Sequence, residues 1–350
     1  MVNKSTIGAI LLVILGFSLI IILPIHLIST ELSSYNGFDE SCSFIYNPSS
    51  PTPADSLYIN VDEGNIEIRY INPPVDYLVL IEVNIVMVGS KLGGKSYTDY
   101  LNFSWYNSSS PTNFRMEIIS NDWFNPFLWL TKEVDITVYL RKDIVFDIMT
   151  NLTKGDFELT VPWAASIGNL VTNVSNGNIL YDFEYCLIQG NISGNINEGD
   201  LMFKSYDVEY IQKSSWDISV GKGNVNLEIY QDRDTGANIT SLVKVNEGRV
   251  FILYDDYSAD IGALLEIPYG GEFMDKSGFP VCISGIPILE CTLVDGFVYS
   301  HIEPTTYEGI VYFISHDLLT NIVKHYYSIR FEILEGYFNM ELTSIPSLFE

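Results

Sequence analysis

Residues 174–181, "VSNGNILY", and residues 196–203, "INEGDLMF", state one pattern twice, 22 residues apart. An apolar residue is followed by two others, a glycine and a polar residue, then by an apolar, a variable and an apolar position. The pattern recurs as "VDEGNIEI" around Gly64, "LTKGDFEL" around Gly155, "VGKGNVNL" around Gly223 and "VNEGRVFI" around Gly248. Along Gly155, Gly177, Gly199, Gly223 and Gly248 the spacings are 22, 22, 24 and 25 residues. Apolar residues alternating with polar ones are the period-2 signature of strands buried on one face. A glycine preceded by Glu, Lys or Asn supplies a turn position that tolerates positive φ. Each unit reads as strand, tight corner, strand.

So short a unit cannot bury its own apolar face, so neighbours must stack and share a core. The prediction is an all-β, β-solenoid-like stack of 22–25-residue repeats, with Val174, Ile179, Ile196, Leu201, Val220, Val225, Val245 and Val250 in inward rows. The residues after the glycines, Asn65, Asp156, Asn178, Asp200 and Asn224, read as turn residues bonding to their own backbone. A ladder of cation ligands is the competing reading, although the paired-glycine calcium nonapeptide is absent.

These "G-[ND]-h-x-h" corners behind a short N-terminal apolar segment resemble the adhesin-like β-repeat domains of the toast-rack type found in bacterial and archaeal envelope proteins. The resemblance covers Gly155 to Asp256 well and extends to Leu57–Tyr70. It implies a single-stack surface domain and brings no catalytic residues. The 91-residue gap from Gly64 to Gly155 departs from the family and leaves open whether the first unit joins the stack.

The N-terminus reads "IGAILLVILGFSLIIILPIHLI" from Ile7 to Ile28, uncharged apart from the titratable His26. At ~1.5 Å per residue, about 22 residues cross a ~30 Å hydrocarbon core, which predicts a transmembrane helix. Lys4 precedes it, and Glu31, Asp39 and Glu40 follow, so the positive-inside rule puts residues 1–6 in the cytoplasm and the remainder outside as a single-pass cell-surface protein. A cleaved signal peptide is the rival, opposed by the length of the apolar run and the poor cleavage site in "HLIST". His26, near the outer end, reads as interfacial.

Beyond this anchor, residues 29–56 form the expected stalk, with Ser, Pro and turn formers throughout 34–56. Residues 57–150 form an N-terminal β region, 151–260 the repeat array and 261–350 a C-terminal β region. In the last, Leu318, Leu319, Ile322, Val323 and Tyr326 of "HDLLTNIVKHYY" fit the stripe of a short helix capped by Asp317. Trp123, Phe124, Phe127 and Trp129 concentrate aromatic area, read as core with a partner- or membrane-facing patch as the alternative.

The formal charge of −26 opposes contact with nucleic acid or anionic lipid. With 18% charged and 13% aromatic residues, the chain reads as folded and not as an acidic disordered tail. Sequons at Asn102, Asn107, Asn151, Asn173, Asn191 and Asn238 are glycosylation candidates consistent with export. Of Cys42, Cys186, Cys282 and Cys291, the last pair could staple a hairpin in an oxidising exterior, and no Cys or His spacing suggests zinc.

"GSKLGGKS", Gly89 to Ser96, matches the phosphate-loop pattern through Gly89, Gly94, Lys95 and Ser96. Such a loop requires a helix starting at the lysine. "SYTDYLNFSWYNSSSP" is instead aromatic and β-branched, so the stretch reads as a hairpin with Gly93–Gly94 at positive φ. No nucleophile elbow or zinc-protease motif occurs, and His301, His316 and His325 lack local support for a triad. The expectation is a non-enzymatic, cofactor-free binding or structural module with an unidentified envelope protein or glycan as partner, besides the bilayer through residues 7–28. The alternative is a carbohydrate-active enzyme using carboxylates such as Asp255, Asp256 and Asp260.

Overall fold

The computed structural model describes residues 35–48, 53–90, 92–106, 111–211, 213–256, 261–268, 273–274, 292–294, 297–301, 310–315 and 323–344. Two compact units emerge: unit 1 comprises Met1–Ser41, Asn84–Asn102 and Ile118–Val134, and unit 2 comprises Cys42–Val83, Phe103–Glu117 and Asp135–Glu350.

Among the described residues, unit 2 is organised by seven parallel rungs, each a pair of strand segments meeting at a glycine. Rung 1 is Ala54–Glu63 with Asn65–Ile71, rung 2 Val145–Lys154 with Phe157–Val161, rung 3 Ser166–Asn176 with Ile179–Glu184, and rung 4 Ile192–Glu198 with Leu201–Tyr206. In rungs 5, 6 and 7, Ser214–Gln231, Ile239–Asp256 and His325–Ser344, the strand runs unbroken through the glycine. Successive rungs pair in register: Val174 faces Leu152 and Ile196, and Ile179 faces Phe157 and Leu201. Gly223 faces Gly248, which in turn faces Gly336.

Rung 1 sits on rung 2: Leu57 faces Ile148, and Gly64 N–H donates to Lys154 O at 2.9 Å, so residues 72–144 are an excursion between neighbours, and paired corner positions stand 91 residues apart. A second excursion separates rungs 6 and 7, where Asn238 and Tyr326 are hydrogen-bonded across 88 residues. Beyond rung 7, Ile261–Pro268 pairs parallel with it and antiparallel with Ile310–Ser315, which continues an antiparallel meander through Phe297–His301 and Thr292–Val294.

Inward side chains form the core expected from the alternation. All eight of the apolar residues expected in rows are buried, and aromatic rings link the rungs: Tyr181 of rung 3 to Phe203 of rung 4 at 5.9 Å, Phe203 to Trp216 of rung 5 at 4.4 Å, and Trp216, past rung 6, to Tyr327 of rung 7 at 5.7 Å. Such contacts carry dispersion and hydrophobic burial together. At Gly194 a Cβ would stand 3.1 Å from the Tyr181 hydroxyl, so the absent side chain leaves room for that ring.

Several expectations need correction. Among the described residues no helix is long and apolar enough to cross a membrane, so the fold class with a transmembrane helix, and the single-pass, signal-anchored localisation derived from it, do not stand. The segment 7–28 itself lies outside the described residues. In the described strands apolar residues alternate with polar ones and point into a protein core, which leaves no helical run of membrane-spanning length. Nor are the repeats the whole fold, since long excursions and an antiparallel meander belong to it too. Tyr35–Tyr46 is a strand where a stalk was expected; Phe38, Glu40, Cys42 and Phe44 are its half-buried alternate positions, a period hidden by the Ser-rich composition. His325 and Tyr326, assigned by sequence to a helix, begin rung 7, whose parallel partners supply backbone hydrogen bonds; residues 316–322 lie outside the described residues.

Candidate functional site

The glycine corners stack into a column. Gly64, Gly155, Gly177, Gly199, Gly223 and Gly248 have φ between 129° and 153°. A Cβ on Gly199 would lie 1.9 Å from Gly177 O, and one on Gly248 1.6 Å from Gly223 O. The rungs therefore approach through bare backbone, and no larger residue fits.

The residue after each glycine builds a polar ladder on the outside. Register places Asp135, Asn65, Asp156, Asn178, Asp200, Asn224 and Arg249 in successive positions. Asp156 Oδ1 accepts from Asn178 N–H at 2.8 Å and from its Nδ2 at 2.9 Å, and Asp200 Oδ1 accepts likewise from Asn224 at 2.7 and 2.9 Å. Asn178 Oδ1 in turn accepts from Asp200 N–H at 2.9 Å. Carboxylate and amide alternate, so an acceptor-only group always has a donor above it, and like charges stand two rungs, about 10 Å, apart. The turn residues thus bond to the next rung and not to their own.

Beside this ladder runs a groove of about 390 Å³ on the outer surface. Half-buried Leu180 and Met202 form its apolar floor, Asp156, Asn178, Asp200 and Asn224 one wall, and Glu158 and Asn226 add further polar groups. The carboxylates are fixed in place by the ladder, which gives a preorganised set of acceptors beside an apolar strip. Among the described residues no three His, Cys, Asp or Glu side chains gather as metal ligands.

A second outer edge follows the second corner of each repeat. Ala164, Tyr185 and Asp207 hold φ of 58°, 48° and 46°, the left-handed region, and rungs meet there through Tyr185 N–H to Tyr206 O at 2.8 Å and Asp207 N–H to Tyr230 O at 2.9 Å. Tyr206 and Tyr230 stack at 4.5 Å, and the Arg233 guanidinium lies 5.7 Å from the Tyr185 ring. Asp207 Oδ1 accepts from Asp232 N–H at 2.6 Å. Burial, then the charges of Asp207 and Asp255, raise the Asp232 carboxyl above its usual range. No local motif marks this edge in the sequence; the recurrence of Tyr206 and Tyr230 at the repeat spacing is its one signal there.

The remaining sequence candidates scatter. Gly89 ends a strand in unit 1, where a Cβ would meet Leu128 O at 2.0 Å; Gly94 has φ of 74°, and Ser96 caps a single 3₁₀ turn, Tyr97–Asp99. The Lys95 ammonium lies 3.1 Å from Asp99 Oδ1, and no α-helix follows it. Asn102 is exposed; Asn151 and Asn173 lie in adjacent strands, where Asn173 Nδ2 donates to Asn151 Oδ1 and Asn195 Nδ2 to Asn173 Oδ1. Asn191 Oδ1 accepts from Ser215 N–H and Oγ, and Asn238 Oδ1 from Tyr326 N–H. Asn107, Asp260, His316, Cys282 and Cys291 lie outside the described residues. Cys186 is buried, which pushes its thiol up to about 12. His325 Nδ1 is 2.6 Å from Asp234 Oδ1; His301 falls in the meander.

No protein-family model matches the chain, and no curated protein does. Among solved structures the chain is similar to a "putative cell adhesion protein" from Clostridium sporogenes at 10% identity and TM-score 0.33, over 87% of this chain and 100% of that one. A "putative adhesin" from Bacteroides fragilis is 8% identical with TM-score 0.33, over 87% and 97%. A "putative lipid binding protein" from Parabacteroides distasonis is 13% identical with TM-score 0.27, over 64% and 92%.

Proposed function

We propose that the rungs form a non-enzymatic binding module that takes a glycan along the groove beside the corner ladder. The observation that carries this reading is a row of immobilised acceptors, Asp156, Asn178, Asp200 and Asn224, next to the apolar strip of Leu180 and Met202. Sugars present hydroxyl donors and an apolar C–H face together, the complement of that surface. Two carboxylates for glycosidic cleavage must flank one bond at roughly 5–9.5 Å. Asp156 and Asp200 are each committed to two amide donors, which suits fixed recognition better than proton transfer.

A glycan array probed with the full chain and with Leu180→Asp/Met202→Asp tests this. Binding lost in the double variant is expected; binding unchanged by it would move the site elsewhere. A second reading, a glycoside hydrolase, is favoured by one observation only, the raised carboxyl of Asp232 near Asp207, Asp255 and exposed tyrosines. Polysaccharide turnover abolished by Asp232→Asn would establish that reading over binding.

A further inference from the structure

In unit 1 the aromatic cluster splits in two. Trp123 is buried at 1% exposure, whereas Phe124 is 68% and Phe127 87% exposed, with Ile119 at 56% and Leu130 at 65% close in sequence. The segment that displays them is held rigidly. Ser120 caps the 3₁₀ turn Asn121–Phe124, Asn125 Oδ1 accepts from Phe127 N–H at 3.1 Å, and Leu128 N–H donates to Asn125 O at 3.1 Å. Trp129 Nε1 donates to the carbonyls of Asp122 and Trp123, both at 3.1 Å, and the Lys132 ammonium lies 4.4 Å from the Trp123 ring. Two phenylalanines are thus held in water by a fixed scaffold, an arrangement that solubility alone disfavours.

The place where residues 1–34 join the unit bears on what covers this tip. The described chain begins at Tyr35; at Gly37 a Cβ would lie 3.0 Å from Met87 O and 3.1 Å from Val88, and Gly89 in that same strand abuts Leu128. In the sequence, the most apolar stretch, residues 7–28, ends with six residues between it and Tyr35, the start of the strand that lies beside the support of the apolar tip. The charged side chains nearest in sequence are Asp122, Lys132 and Glu133, with no basic cluster among them.

We infer that Phe124 and Phe127, flanked by Ile119 and Leu130, dock unit 1 on a lipid surface, entering it by apolar burial and not by attraction to anionic headgroups. This contact is separate from the glycan groove of unit 2 and does not depend on it. With a net charge of −26, anionic vesicles should engage the tip less than zwitterionic ones.

The test places a tryptophan at the tip, as Phe127→Trp or Phe124→Trp, in the full chain mixed with phosphatidylcholine vesicles carrying bromine on the acyl chains. The expected result is additional fluorescence quenching of at least twofold over the unsubstituted chain, persisting at high salt and weakening as phosphatidylserine is added. A third variant, Ile211→Trp, places the probe at an exposed site on the rungs and is expected to add no quenching. Vesicle binding without extra quenching at 124 or 127 would overturn the inference, since the contact would then lie elsewhere; equal quenching at 211 would overturn it too. Self-association abolished by Phe124→Ser/Phe127→Ser, with no quenching by lipid, would assign the tip to a second copy of this chain instead.

Discussion

Rungs 2, 3 and 4 each turn twice with positive φ, and the two corners solve the problem differently. At the first corner of Gly155, Gly177, Gly199, Gly223 and Gly248, φ between 129° and 151° combines with a neighbouring carbonyl less than 2.1 Å from an added Cβ, so sterics exclude every side chain. At the second, φ of 46–58° is the left-handed basin, which costs an ordinary residue only about 1–2 kcal/mol, and Ala164, Tyr185 and Asp207 occupy it. The comparison teaches that a positive φ alone does not demand glycine. Close stacking of backbone on backbone does, and the corner freed from it can carry an exposed tyrosine, Tyr185, or a carboxylate, Asp207.

Gly199→Ala should break the first corner, lowering unfolding free energy by about 3–5 kcal/mol in chemical denaturation, because it combines strain with a clash against fixed backbone. Tyr185→Gly at the second corner should stay within about 1 kcal/mol, as relief of strain is offset by greater freedom of the unfolded chain. Equal losses at both would show that conformation, not stacking, selects glycine. Next in size comes Asn178→Asp, which replaces a double donor by a third carboxylate between Asp156 and Asp200 and should cost about 1–3 kcal/mol at pH 7. Repulsion raises folded-state carboxyl pKa values, so the deficit should shrink as pH falls through them; a deficit independent of pH would mean the ladder acts through hydrogen bonds alone.

The tie between the second-corner side and rung 7 gives a smaller effect of opposite sign. Burial pushes the Asp234 carboxyl up, but hydrogen bonds from His325 and Gly236 N–H, together with the charges of His325 and Lys324, outweigh it and hold the carboxyl below its ordinary 3.8. Its contribution is present above the unfolded value and lost as pH falls through the lower folded one, so Asp234→Asn should flatten the acid limb of a stability–pH curve below about pH 4. Smallest of all is Lys95→Ala in unit 1, which removes an exposed, solvent-screened i,i+4 pair with Asp99. It should change neither stability nor ATP affinity measurably; saturable ATP binding abolished by this change would revive the phosphate loop.

The glycine corners and the inward rows were legible because both rest on local rules, strand period and positive φ. The ladder is only half legible: the pattern picks out Asp156 and Asn178 as polar corner residues, but partners 22 residues apart become neighbours only once the register is fixed. Gly336 escaped because Tyr337 fills the polar position of the pattern in "ILEGYFNM". The aromatic tip could not be resolved from composition, since Trp123 and Phe124 are adjacent yet face opposite environments. Burial there is decided by tertiary packing, which no local period encodes.

The two excursions also set an order of assembly. Joining rungs separated by 22–25 residues closes short loops, whereas uniting rung 1 with rung 2 and rung 6 with rung 7 closes 91- and 88-residue loops, about two doublings longer and so roughly 1.2 kcal/mol more costly in chain entropy. Rungs 2 to 6 should therefore zip first into a nucleus, with the terminal rungs annealing onto its open ends. Until they do, both ends expose unpaired strand edges, the interval in which a folding chain is most apt to recruit another.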